Sequence, residues 1–158
     1  MNNKVKEVHE SELEIARIVR PTHLNASGRL FGGILLQWID EAAGIVAKRH
    51  CNSDVITVAI DNLKFLKGAY QKDLVVLVGK LTWVGETSME IRVDTFTENM
   101  LGERKLINTA YMVMVALDEN DVPTAVPRLR VRTEAEKQEW EDGNKRRTIR
   151  ILRKEEGF

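Results

Sequence analysis

An α+β fold, with one antiparallel sheet curled around a single long helix, is predicted by three observations. Between positions 30 and 49 there is one long segment with apolar residues on nearly every side of a 3.6-residue wheel. It is followed by four strand-like stretches joined by short, turn-rich links, which favour antiparallel neighbours. A strand-like stretch also precedes it, and a helix buried on all sides needs a sheet that wraps it.

The elements follow in order. Glu12 to Val19 carries Leu13, Ile15 and Val19 on one parity and reads as a strand that Pro21 ends. The loop from Thr22 to Gly28 is rich in turn formers. Leu30 to Arg49 is the helix, with Ser27 as candidate N-cap and Lys48 and Arg49 suited to the C-terminal dipole end. Val55 to Leu66 places Ile56, Val58 and Ile60 on one parity, then Leu63 and Phe65 on the other, which predicts a bulge near Asp61 and Asn62. Leu74 to Val84 is apolar on both parities, as a central strand is. Thr87 to Thr97 alternates Met89, Ile91 and Val93 with Glu90, Arg92 and Asp94, predicting one wet face. Leu106 to Leu117 is again apolar on both faces. A C-terminal helix is expected over Thr133 to Asp142, with Gly143 ending it.

The 158 residues show no repeat and no linker, so one domain is expected over 1–158, with a core of about 10–135 and a tail from about 133. Net charge is zero, with 24 basic and 24 acidic side chains, which argues against a nucleic-acid coat. Residues 128–158 hold ten basic and seven acidic side chains, a mildly cationic tail that reads as a solvated helix. The longest apolar run, Ala110 to Leu117, is too short for the roughly 20 residues of a membrane helix, and the N-terminus lacks a signal-peptide core. A lone cysteine, Cys51, forms no internal disulfide and has no evident base beside it. No membrane or nucleic-acid partner and a cytoplasmic location are expected. His23 and His50 lack partners at ligand spacing, so structural roles are expected for both and no metal for the chain.

Three features carry candidate chemistry. Asp40 has Leu36, Gln37, Ala43 and Gly44 as its helical neighbours, with Gly33 further back, and reads as lying on a stripe of small residues that admit a close approach and leave a carboxylate partly desolvated for use as a base. The alternative is that Asp40 and Glu41 form a solvated rim. Gly32 and Gly33 open the helix, where unpaired backbone N–H groups and the positive dipole end favour an anion or oxyanion. The alternative is a tight contact that tolerates no Cβ. Asn25 can donate from its amide or close an Asx-turn.

The run from His23 to Ala43 (HLNASGRLFGGILLQWIDEAA) resembles the signature of hotdog-fold acyl-CoA thioesterases, most of all the bacterial YciA-type and mammalian cytosolic acyl-CoA hydrolases. Val58 to Asp61 leading to Phe65, then Gly68 and Asp73, the run Val84 to Met89, and Pro127 add to it in the right order, so the similarity covers roughly residues 10–135. The resemblance implies a hotdog fold, hydrolysis of acyl-CoA to a carboxylic acid and coenzyme A, and no cofactor or metal. It implies Asn25 and Asp40 as catalytic residues from opposing subunits, with Gly32 and Gly33 at the oxyanion. It also implies a homo-oligomer built from dimers, a trimer of dimers, with coenzyme A in a groove between subunits. Candidates for holding coenzyme A are Phe65, Gly85, Thr87, Ser88, Arg128 and Arg130; the two arginines rest on charge alone. Trp38, Phe65, Trp83 and Met89 are either acyl-pocket wall or core. The competing readings are a hotdog dehydratase, for which the helix start offers no histidine, and a non-catalytic acyl-CoA sensor, for which the tail is too short for a helix-turn-helix.

Overall fold

The computed structural model describes residues 4–158. Its main sheet has five antiparallel strands in the order β2-β4-β5-β6-β3. These are β2 (Leu13–Ile18), β3 (Asp54–Phe65), β4 (Leu74–Val84), β5 (Ser88–Glu98) and β6 (Arg104–Leu117). Helix α1 (Gly32–Cys51) lies against one face, and helix α2 (Glu134–Glu156) against the other. A short parallel pair, β1 (Val5–Glu7) with β7 (Arg128–Arg130), was not anticipated; three-residue strands leave no readable period. Among the described residues no helix is long and apolar enough to cross a membrane.

Helix α1 is cradled by the curved sheet through Leu35, Trp38, Ile39, Ala42, Ala43, Val46 and Ala47, all buried. Gly79 of β4 lets it come close: a Cβ there would lie 3.0 Å from Val46 Cγ2. The helix is not buried all round, as its periodicity had indicated. Gly33, Gln37, Asp40, Glu41, Ile45 and Lys48 face outward, because the sheet stops at β3 on that flank. It also starts at Gly32 with Phe31 as N-cap, not after Ser27, because residues 24–30 form a turn closed by the Leu24–Leu30 bridge. The bulge expected in β3 is present: the pairing with β6 shifts register between Asp61 and Lys64, and Asn62 has φ +49°.

The largest departure is at the C-terminus. Thr133 caps α2 with a capping box, its Oγ1 accepting from Glu136 N at 3.1 Å, and the helix runs 23 residues to a Gly157 cap. Gly143 does not end it. Gly143 is the crossing point, where a Cβ would sit 2.8 Å from Trp83 Cβ. The strand face expected to be wet is therefore covered. Glu90 is 0% exposed and accepts from Thr82 Oγ1 (2.7 Å), from Arg146 Nη2 (2.8 Å) and from Arg150 Nη1 (3.1 Å). Asp61 accepts from Arg150 and Arg153, and Glu139 pairs with Arg92.

Candidate functional site

Asp40 projects from the open flank of α1 toward edge strand β3. Its Oδ1 accepts a 2.6 Å hydrogen bond from Thr57 Oγ1, and its second oxygen has no partner among the described residues. Neighbouring Glu41 is engaged by Arg17 (2.6 Å) and Gln37 (3.0 Å). A cavity of about 510 Å³ lies here, lined by Asp40, Glu41, Gly44, Ile45, Lys48, Val55, Thr57 and Met114. Asp40 itself is exposed in the single chain, contrary to the expectation of partial desolvation, because it lies with Gly33, Gln37 and Glu41 on the flank of α1 that the sheet leaves open, while Ala43 turns into the core. Thr57 escaped the sequence reading. The one signal for it is its parity in β3, opposite to Ile56 and Val58, which faces it toward α1.

Asn25 stands elsewhere. Its Oδ1 accepts from Ser27 N (2.9 Å) and Arg29 N (3.1 Å), closing the turn before α1. That leaves its Nδ2 amide free to donate, so the turn-forming and donating roles coexist in one side chain. Asn25, Gly32 and Phe65 line a second cavity of about 380 Å³. Phe31 provides no side-chain cap, so the first backbone N–H groups of α1, at Gly32 and Gly33, have no capping partner. Only Gly33 lacks room for a side chain, beside the Phe31 ring, whereas Gly32 has ordinary contact with Phe65. A Cβ on Gly33 would lie 2.7 Å from Phe31 Cε1, and one on Gly32 would lie 3.4 Å from Phe65 Cζ.

The residues singled out for coenzyme A divide into two places. Phe65, 54% exposed, belongs to the helix start. Gly85, Thr87 and Ser88 form the β4–β5 turn at another end of the sheet. There Gly85 N donates to Ser88 O at 2.8 Å, and Arg128 Nη1 reaches Gly85 O at 3.4 Å. Arg130 faces Glu7 at 3.8 Å. Trp38, Trp83 and Met89 are buried, and of these Trp83 also lines a cavity on the outer face of the sheet and Trp38 one beside β2.

His23, His50 and the cysteine are structural in their contacts. His23 Nδ1 accepts from Arg20 N at 3.0 Å, and its ring stands edge-on to Trp38. His50 is buried with Nε2 2.9 Å from Pro127 O; a carbonyl only accepts, so Nε2 carries the proton. Burial pushes its pKa below the ordinary 6.5, only partly opposed by that bond. Buried Cys51 accepts from Ser53 Oγ at 3.3 Å.

A family model for the thioesterase superfamily matches residues 27–102, which hold the helix and the three following strands up to the end of β5. An acyl-CoA thioester hydrolase of Bacillus subtilis is 42% identical over 128 residues, covering 80% of this chain and 74% of that protein. The chain belongs to the acyl-CoA thioester hydrolase family. Membership makes it a hotdog thioester hydrolase and sets aside the dehydratase and binding-only readings. The rat cytosolic acyl coenzyme A thioester hydrolase is 30% identical over 99% of this chain, which spans 42% of that longer protein. Among solved structures, a hexameric acyl-CoA thioesterase superposes with a TM-score of 0.91 at 38% identity, covering 95% of this chain and 97% of its own. An acyl-CoA hydrolase from Staphylococcus aureus, in complex with butyryl coenzyme A and coenzyme A, gives 0.91 at 30% identity, covering 97% and 94%.

Proposed function

We propose that this chain hydrolyses acyl-CoA thioesters at a site shared by two subunits, with Asp40 of one protomer as general base and Asn25, Gly32 and Gly33 of the other binding the thioester. The observation that carries this is the separation itself. Asp40 and Thr57 line one cavity, Asn25 and Gly32 another, and each holds half of what the chemistry needs. The edge between them is unfinished. β3 ends the sheet while exposing Ile56, Val58 and Ile60, with Ile45 of α1 beside it, and an apolar edge strand of this length calls for a partner. A second copy paired there covers Asp40 and supplies the desolvation that one protomer lacks.

In this reading Thr57 fixes the carboxylate, and the free oxygen of Asp40 removes a proton from water as the water oxygen bonds to the carbonyl carbon. Negative charge on the thioester oxygen is met by the N–H groups at the opening of α1, each donor contributing about 2.7–4 kcal/mol to the lowered barrier. Collapse breaks the C–S bond, and the proton held by Asp40 passes to the leaving thiolate. The Asn25 amide orients the water or the carbonyl. In the Staphylococcus aureus hydrolase an asparagine, an aspartate and a threonine, spaced along the chain as Asn25, Asp40 and Thr57 are here, were each replaced by alanine. No metal or cofactor takes part in this scheme.

The proposed assembly has the dimer as its minimal unit and is a trimer of dimers, in keeping with the hexameric neighbour of 0.91 TM-score. Coenzyme A lies in a groove between subunits, with the Gly85–Ser88 turn and Arg128 toward its nucleotide, and the location is cytoplasmic. Asp40→Asn is expected to lower kcat by about two decades or more, the usual share of a general base, while coenzyme A still binds. Wild-type turnover in that variant would overturn the assignment. Mixing Asp40→Asn with Asn25→Ala protomers should recover activity in hybrid dimers; no recovery would refute the shared site.

A further inference from the structure

The cations on α2 are not equivalent. Arg146, Arg150 and Arg153 are held by Glu90 and Asp61 and serve to dock the helix. Arg147 and Lys154, seven residues and about two turns apart on one side of the helix, have no carboxylate partner among the described residues. Arg147 instead lies over the Trp83 ring, 5.5 Å from its centroid. Both side chains line a cavity of about 370 Å³ on the outer face of the sheet, together with Arg150 and the Ser88 side chain, above Val58 and Val113. Ser88 ties this cavity to the β4–β5 turn. A Cβ on Gly85 would lie 2.8 Å from both Ser88 Oγ and the Trp83 ring, so turn, hydroxyl and ring share one face, and Arg128 reaches the same glycine from β7.

Two unpaired cations and a hydroxyl in a concave, partly apolar site suit a phosphorylated ligand with an organic body. We propose that Arg147 and Lys154 form, with Ser88, a phosphate-binding subsite for the nucleotide end of coenzyme A, so that α2 is part of substrate recognition. The inference rests on the reading that coenzyme A approaches the Gly85–Ser88 turn. It extends that reading to a helix on the opposite face of the sheet from α1. Arg150, already anchored by Asp61 and Glu90, positions the helix and adds to the field without being free to turn to a ligand. Gly85 has a plain reason in this arrangement, since a side chain there would displace Ser88 Oγ and press on the Trp83 ring.

The test compares hydrolysis of butyryl-CoA with hydrolysis of S-butyryl-pantetheine, which lacks the nucleotide, by wild-type oligomer and by the Arg147→Ala/Lys154→Ala variant. The subsite requires KM for butyryl-CoA to rise about tenfold at low salt, with kcat unchanged and with pantetheine-ester kinetics unaltered; the difference should shrink as salt screens the charges. Adenosine 3′,5′-bisphosphate should compete with butyryl-CoA in the wild type and lose that ability in the variant. Equal KM values for butyryl-CoA in the two proteins would overturn the proposal. Modulation of pantetheine-ester hydrolysis by the bisphosphate would also overturn it, by marking a free-nucleotide effector site instead. Wild-type protein that cleaves neither ester would refute the thioesterase reading itself, which is a different outcome. Arg147→Lys, retaining the charge, should recover most of the KM.

Discussion

The two helices sit on opposite faces of one sheet and are held there by opposite means. Helix α1 docks through buried apolar side chains, and its one fully buried polar side chain, His50, is kept neutral by its surroundings. Helix α2 buries only Gly143 completely; Trp140 packs against Trp83, but most of its grip is ionic: Arg146 and Arg150 on a carboxylate with no solvent exposure, Arg150 and Arg153 on Asp61, and Glu139 on Arg92. Burial draws the Arg146 pKa down, but the hydrogen bond and charge of Glu90 outweigh it and hold it above the ordinary value. An apolar interface loses stability in proportion to the volume removed or forced in. An ionic one fails sharply when one partner is removed, because the other charge is left buried and uncompensated.

The strongest way to break this contrast is Glu90→Ala. Removing one partner of a buried pair costs about 3–5 kcal/mol, so the variant should unfold at much lower denaturant than wild type. Protection from hydrogen exchange should fall first along α2. A loss below about 1 kcal/mol, with α2 still protected, would show that apolar contacts of the helix with Trp83 carry the docking instead.

Gly143→Ala sharpens the same point at intermediate size. In a free helix this change would stabilise by about 1 kcal/mol, but here the new Cβ meets Trp83 Cβ at 2.8 Å. Overpacking of this kind typically costs about 1–3 kcal/mol, so thermal denaturation should show a lower Tm. A raised Tm would mean that the crossing of α2 over Trp83 is loose.

The smallest effect belongs to α1. His50 has a folded-state pKa below its unfolded 6.5, so in the window between the two values the unfolded chain binds more protons than the folded one. Stability from this group is therefore complete above pH 6.5 and declines as the pH falls below it, by at most about 1.4 kcal/mol per pH unit. Denaturant midpoints measured from pH 8 to 5 should show that slope in wild type, and His50→Gln should flatten it. An identical slope in both proteins would place the proton uptake elsewhere.

How much of this was legible in the residues depends on where the determining contact lies along the chain. The five main strands, the long helix and the bulge near Asn62 follow from periodicity, because side-chain direction alternates locally in a strand and every third or fourth residue in a helix. Asp40 and Asn25 stand out for the same local reason, one on a stripe of small residues, the other in a turn before paired glycines. What was misread depended on distant partners. Gly143 looks like a stop in sequence and is a crossing point in space, because Trp83 lies sixty positions earlier. The alternation in β5 predicts a wet face, but α2 covers it and turns Glu90 into a buried anchor. Thr57 is an ordinary strand threonine until folding brings it within 2.6 Å of Asp40.

By itself, then, the order of residues determined the five main strands, their antiparallel arrangement, the long helix and the polar side chains capable of thioester chemistry, since those follow from backbone preference and near-neighbour pattern. Only the tertiary structure decided that Asp40 and Asn25 occupy separate half-sites and that α2 is pinned by charge. Only it brought the unpaired Arg147 and Lys154 beside Ser88. Those facts depend on which distant groups share a desolvated space, and desolvation is a property of packing in three dimensions.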